Sequence, residues 1–174
     1  VTLVSQTNFL LHTPMLSEVA AGEGQAQHIS PSLRAVCPDT RIVQATVEAV
    51  DLKAQTVQVK GQYASHSNVL SYDHLVLALG GVATFYNLPG LEENSLSLKS
   101  LGDASRIRNH VISQLEQADA EVDAEERRSL LTFVVAGAGF AGTEMLAALF
   151  DMVHSVLRFY PHIPRSEVRF VMVH

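Results

Sequence analysis

The stretch Val134 to Glu144, VVAGAGFAGTE, joins a β-branched run to a helix-forming run through glycines at 137, 139 and 142. Few backbones need that spacing. In a βαβ turn the first glycine permits a sharp exit from the strand, the second lets a pyrophosphate approach backbone N–H groups, and the third allows close helix–strand packing. The phosphate would sit at the helix N-terminus, where unpaired N–H groups and the positive end of the helix dipole favour anions. Downstream, residues 142 to 157 read as a helix apolar all round, and Val168 to Val173 as a second parallel strand, so residues 132 to 173 spell one βαβ element. A glycine-rich turn without a ligand gives the same short pattern. The strand before it, the helix after it and the second strand beyond favour the nucleotide-binding reading.

Glu144 falls in what this reading takes as the first turn of the helix, where the dipole favours a carboxylate without any catalytic role. Its place beside a dinucleotide also allows a catalytic role. The acidic residue that usually grips the ribose at the end of the second strand should lie near His174, which is not acidic. A neutral imidazole there hydrogen-bonds a ribose or is simply solvated.

At 174 residues, 47% hydrophobic and 17% charged, the chain is expected to fold by burial. Its net charge of -6 and the absence of a basic cluster longer than Arg127-Arg128 argue against nucleic acid as a partner. The single cysteine, Cys37, excludes an internal disulfide and a Cys-x-x-Cys dithiol. The histidines, including His12, His28, His66, His74 and His110, show no metal-ligand spacing, so no metal is expected. Leu130 to Phe150 has the length and apolarity of a membrane span, but its three glycines weaken a continuous helix and suit a strand, turn and helix start.

Upstream, Val1 to Val4 reads as a buried parallel strand, Thr13-Pro14 as a helix entry, Ser30 to Val36 as a helix with Pro31 at its first position, and Arg41 to Ala45 as a strand. Thr46 to Val50 and Thr56 to Lys60 form a hairpin, and Tyr72 to Leu79 a third, nearly continuously apolar strand. Ser100 and Asp103 have capping-box spacing ahead of an amphipathic helix over 103 to 122, with Ile107, Val111, Leu115, Ala118 and Val122 on one face. The charge-dense DAEVDAEERR, Asp119 to Arg128, reads as a solvated connector.

The segments VTLVSQTNFLLHTPMLSEVAAG, IVQATVEAVD, YDHLVLALGG, NLPGLEE, LKSLGDASRIRNHV and TFVVAGAGFAGTEMLAAL, in that order, resemble the type II NADH:quinone oxidoreductases, within the two-dinucleotide-binding-domain flavoproteins. The resemblance implies an α/β, partial FAD/NAD(P)-binding Rossmann-like fold in three layers with a small antiparallel β-meander. It places a partial FAD-binding domain at 1–88, a connector and amphipathic helix at 89–130, and the first βαβ of an NAD(H)-binding domain at 131–174. The chain is then an internal slice of a longer protein, inactive by itself, whose open sheet edges favour homo-oligomers.

For FAD, the resemblance points to Ser5, where the family generally has an acidic residue, to Thr13, Pro14 and Leu16 near the flavin, to the backbone of Val47 at adenine, and to Gly80 at the phosphates. Pro14 also serves to begin a helix, and Val47 to fill the meander. For NAD(H) it points to Gly137, Gly139, Gly142 and His174, and to Glu144 as the glutamate near nicotinamide and flavin. The implied activity is hydride transfer from NADH to FAD, then reduction of a quinone. The parent would be peripheral to the cytoplasmic side of the inner or plasma membrane. A nucleotide-binding or sensing relative without turnover, another FAD-dependent pyridine nucleotide oxidoreductase and a small membrane protein are the alternatives.

Overall fold

The computed structural model describes residues 1–62 and 66–174. In chain order its elements are β1 (Thr2–Ser5), α1 (Leu16–Ala20), α2 (Leu33–Val36), β2 (Arg41–Gln44), β3 (Thr46–Asp51), β4 (Thr56–Lys60), β5 (Asn68–Ser71), α3 (Leu101–Ala120), α4 (Ala124–Leu130), β6 (Thr132–Ala136), α5 (Phe140–Val156) and β7 (Arg169–Val173). They group into two compact units, one of Val1–Leu11 with Ser30–Gly81, the other of His12–Ile29 with Val82–His174.

In the first unit β1 and β2 pair in parallel, from Thr2 opposite Arg41 to Ser5 opposite Gln44. Strands β3, β4 and β5 form the antiparallel meander. Along β4 the strand period of two is plain, because Val57 and Val59 are buried between outward polar residues. With Ala45 they form a core against which Val4, Val43, Leu70, Tyr72 and Leu75 pack. The hairpin turn is held by Asp51, whose carboxylate accepts the N–H groups of Lys53 and Ala54 at 2.8 Å each.

Two expectations fail in this unit. The third meander strand is Asn68–Ser71, and Tyr72 to Leu79 is not a strand. Among the described residues no strand pairs with it; Tyr72 and Leu75 still pack on the core, but without a ladder the apolar side chains beyond them stay in solvent, Val76 at 85% and Leu79 at 81% exposure. The helix expected from Ser30 begins only at Leu33, with Ser32 as its N-cap. Leu10 N–H donates to Pro31 O at 2.9 Å and Leu33 N–H to Asn8 O at 2.9 Å, so the 8–10 segment holds residues 31 and 32 extended and overrides the local proline preference.

In the second unit α1 packs against both α3 and α5. The apolar row of α3 is buried at Ile107, Val111, Leu115 and Ala118, as the helical period requires. Val122 is not part of it and is 96% exposed. The helix ends at Ala120 because Glu121 is extended and its carboxylate accepts the N–H groups of Val122 and Asp123. The expected solvated connector also carries structure. Asp123 caps α4, Asp119 accepts His162 N–H at 2.9 Å, and Arg127 forms a two-bond ion pair with Glu167 at 2.8 and 2.9 Å.

At the start of α3 the capping box forms as its spacing requires. The Ser100 hydroxyl accepts Asp103 N–H at 3.1 Å, and the Asp103 carboxylate accepts the N–H groups of Lys99 and Ser100 at 3.0 and 2.9 Å. Burial pushes the Asp103 carboxyl up, but hydrogen bonds from Arg106, Ser100 and the two backbone N–H groups outweigh it and hold the group below the usual aspartate range. A depressed folded value makes this contribution complete above the unfolded value of ~3.9 and lost as pH falls through the folded one. Asp103→Asn is therefore expected to cost about 1 kcal/mol at neutral pH, with the gap to wild type narrowing as pH drops below about 4. Thermal melts of both proteins across that range check this, and an equal gap at all pH values would contradict it.

Strands β6 and β7 pair in parallel from Thr132 opposite Arg169 to Ala136 opposite Val173, with α5 between them in sequence. The βαβ reading holds, and the span alternative over 130–150 does not, because β6, the glycine turn and part of α5 share that stretch. The stretch Phe140–Phe159 has the length and apolarity to cross a bilayer, yet Met145, Leu149, Met152 and Val153 are buried in the unit.

Candidate functional site

The glycine turn sits where β6 ends. Gly137 has φ of +104°, a backbone that side-chain-bearing residues rarely adopt, and its N–H donates to Val173 O at 2.8 Å. That bond ties the end of β6 to the end of β7 and sets His174 beside the turn. Gly139 is the N-cap of α5 and supplies no side-chain cap, so N–H groups of the first helical turn remain free for an anion. A β-carbon added at Gly139 or Gly137 would meet nothing within 4 Å, whereas one at Gly142 would collide with the backbone carbonyl of Gly137. The turn is thus open toward solvent and closed toward the helix. Those residues fit a dinucleotide pyrophosphate: two glycines leave room for its approach, and the third permits the helix to start close behind.

Glu144 lies in the second turn of α5, since the helix begins at Phe140 and its first turn holds no acidic residue. This corrects the expected first-turn position. The dipole falls off beyond the first turn and explains Glu144 less well than expected. Its side chain is exposed and makes no hydrogen bond or ion pair among the described residues. Phe140, one helical turn earlier on the same side of α5, was not singled out from sequence, because its apolar character blended with the run around it. It is 92% exposed at the mouth of the turn. A groove of about 700 Å³ within the same unit runs along β6 and reaches Ala141 and Gly142.

The positions assigned to FAD fall in both units. Ser5 ends β1, where its carbonyl accepts Ala45 N–H at 2.9 Å and its hydroxyl lies 3.5 Å from the Thr7 hydroxyl. The neighbouring Gln6 amide donates to the Thr46 hydroxyl at 3.4 Å, bringing the end of β1 beside the start of β3 and hence beside Val47. The register of β3 against β4 shifts between Val47 and Ala49, a local bulge. Gly80 has φ of +71° with nothing within 4 Å of an added β-carbon, a backbone open to close approach by a phosphate. Thr13 and Pro14 open the 3₁₀ turn Thr13–Met15 that leads into α1 and belong to the other unit; Leu16 is buried. An open left-handed glycine and a strand-end hydroxyl fit the phosphate and ribose of FAD, with no carboxylate at Ser5.

A parallel βαβ with a three-glycine turn, preceded by a parallel strand pair and a meander, defines an α/β dinucleotide-binding protein of the Rossmann-like kind. The sequence model of the pyridine nucleotide-disulphide oxidoreductases matches residues 1–165, and the chain belongs to that family. Its relatives include the external NADH-ubiquinone oxidoreductase 2, mitochondrial, of Saccharomyces cerevisiae, 34% identical over 99% of this chain and 33% of the yeast protein. The type II NADH:quinone oxidoreductase Ndh of Mycobacterium tuberculosis is 30% identical over 99% of this chain and 38% of its own length. Among solved structures, that of NDH2 from Plasmodium falciparum in complex with NADH superposes with a TM-score of 0.87 at 23% identity, covering 99% of this chain and 36% of that one, a likeness of fold. The resemblance to type II NADH:quinone oxidoreductases therefore extends along the whole chain. The chain spans about a third of the length of the curated relatives it matches.

Proposed function

We propose that this chain is the part of an FAD-dependent NADH:quinone oxidoreductase that carries the nicotinamide-dinucleotide turn together with part of the flavin site. The observation carrying this reading is the turn at Gly137, Gly139 and Gly142, open to a pyrophosphate, in a chain whose relatives are named for NADH and ubiquinone. When bound, FAD supplies the two-electron redox chemistry. The chain's own part is to seat the NADH pyrophosphate on the first-turn N–H groups of α5, to offer FAD Ser5 for its ribose, Val47 for its adenine and Gly80 for its phosphates from one unit, with Thr13 and Pro14 of the other unit as its flavin positions, and to place His174 near the NADH ribose. A quinone is the electron acceptor in this reading, and the whole protein lies on the cytoplasmic side of the inner or plasma membrane as a peripheral protein. In this reading the 174 residues by themselves do not turn over, and their open sheet edges favour self-association.

The test is an absorbance spectrum of the purified whole protein, with anaerobic addition of NADH and then quinone. A flavin band that bleaches and recovers supports the dehydrogenase. A protein that stays colourless after incubation with FAD sinks it. Nucleotide binding without turnover is the second reading, favoured by a serine and a histidine where carboxylates usually hold ribose hydroxyls; a flavin band that NADH leaves unbleached supports it.

Glu144, exposed and unpartnered on α5, is the side chain we assign to proton handling at the reacting end of NADH. Glu144→Gln keeps the shape and removes the charge. It is expected to lower the rate of flavin reduction at saturating NADH by about 100-fold, the scale of a positioned acid–base group, with little change in NADH affinity. Stopped-flow reduction at several NADH concentrations separates the two, and an unchanged limiting rate rules out this role.

A further inference from the structure

At the opposite end of the β6–β7 pair from the glycine turn, a groove of about 530 Å³ is lined by Val122, Arg127, Arg128, Ser166, Glu167 and Arg169. Three arginines and one glutamate line it, in a chain whose net charge is -6. The carboxylate is already committed, since Glu167 holds Arg127 through both of its oxygens. The side chains of Arg128 and Arg169 make no hydrogen bond or ion pair among the described residues. Their backbones are fixed nonetheless: Arg128 O accepts the Thr132 hydroxyl at 2.7 Å, Arg169 N–H donates to Leu131 O at 2.9 Å, and Thr132 is the strand partner of Arg169. Two arginines without an ion-pair partner among the described residues stand on adjoining backbone, and one anion held between them would accept charge-assisted hydrogen bonds from both guanidiniums.

We propose that this groove is a second anion site, taking a phosphate group between Arg128 and Arg169, with Arg127 held in place by Glu167 and the Ser166 hydroxyl as a further donor. The same phosphate chemistry is offered by a small phosphorylated solute and by the headgroup of an anionic phospholipid. The site is separate from the dinucleotide turn, because the glycines follow Ala136 while these arginines surround the strand starts at Thr132 and Arg169.

The test is titration of the whole protein with inorganic phosphate followed by backbone amide NMR, and co-sedimentation with phosphatidylglycerol against phosphatidylcholine vesicles. Saturable phosphate shifts at Arg128, Ser166 and Arg169 are expected, weakened about tenfold or more in the double variant Arg128→Gln/Arg169→Gln, as loss of charge-assisted bonds implies. The charge-keeping pair Arg128→Lys/Arg169→Lys retains binding in part, and Arg158→Gln, outside the groove, leaves it unchanged. Phosphate binding without vesicle binding identifies a solute site. Selective binding to phosphatidylglycerol that the double Gln variant loses identifies a headgroup site. Shifts confined to residues 137–142, binding indifferent to the double Gln variant, or no binding to either probe overturns the proposal.

Discussion

Gly142→Ala is expected to weaken NADH binding about 100-fold or more and to lower stability by about 1–3 kcal/mol, the range for overpacking a tight contact. The added methyl meets the Gly137 carbonyl, which is backbone and cannot rotate away. The turn must open to admit it, moving the first-turn N–H groups of α5 from the place where they meet the pyrophosphate. Gly139→Ala is the informative companion. Position 139 has φ of -78°, which alanine adopts, and an added β-carbon there has nothing within 4 Å. Its stability is expected to stay within about 0.5 kcal/mol of wild type while NADH affinity falls about tenfold, because the methyl stands only in the ligand's path. Thermal melts and NADH titration of both variants check the split. Wild-type affinity in Gly142→Ala would falsify the pyrophosphate-cradle reading.

Leu115→Ala is expected to cost about 3 kcal/mol and to lower Tm by roughly 6–12 °C. Leu115 is fully buried in α3, within the row Ile107, Val111, Leu115 and Ala118 that faces the interior of its unit. Removing its branched end leaves a cavity that the surrounding helices close only in part. Val122→Ala extends the same sequence periodicity by one step, yet at 96% exposure it should change stability by less than about 0.5 kcal/mol. A denaturant series on the two variants tests where the row ends. Equal losses would return Val122 to the core.

The capping box at Ser100 and Asp103, the β4 alternation and the glycine turn were legible because each is a local rule: a hydrogen bond spanning three residues, a period of two, or a backbone angle only glycine tolerates. The FAD and NAD(H) assignments to Ser5, Val47, Gly80 and Glu144 came from resemblance, and no single local rule picks them out. Where partners distant in sequence decided the outcome, local reading went astray. Tyr72 to Leu79 has strand composition but no ladder partner among the described residues, and the connector around Asp119 to Arg128 gains its role only when Glu167 and His162 are brought to it.

By itself the sequence determined the βαβ with its glycine turn and the family, because hydrophobic period and glycine spacing are written within short windows. Only the tertiary structure decided that α3 stops short of Val122, that Glu144 stands a turn inside α5, and that Arg128 and Arg169 share a groove with the Arg127–Glu167 pair. Those outcomes depend on hydrogen bonds and charges between chain segments, whose free energy exists only once folding has set them side by side.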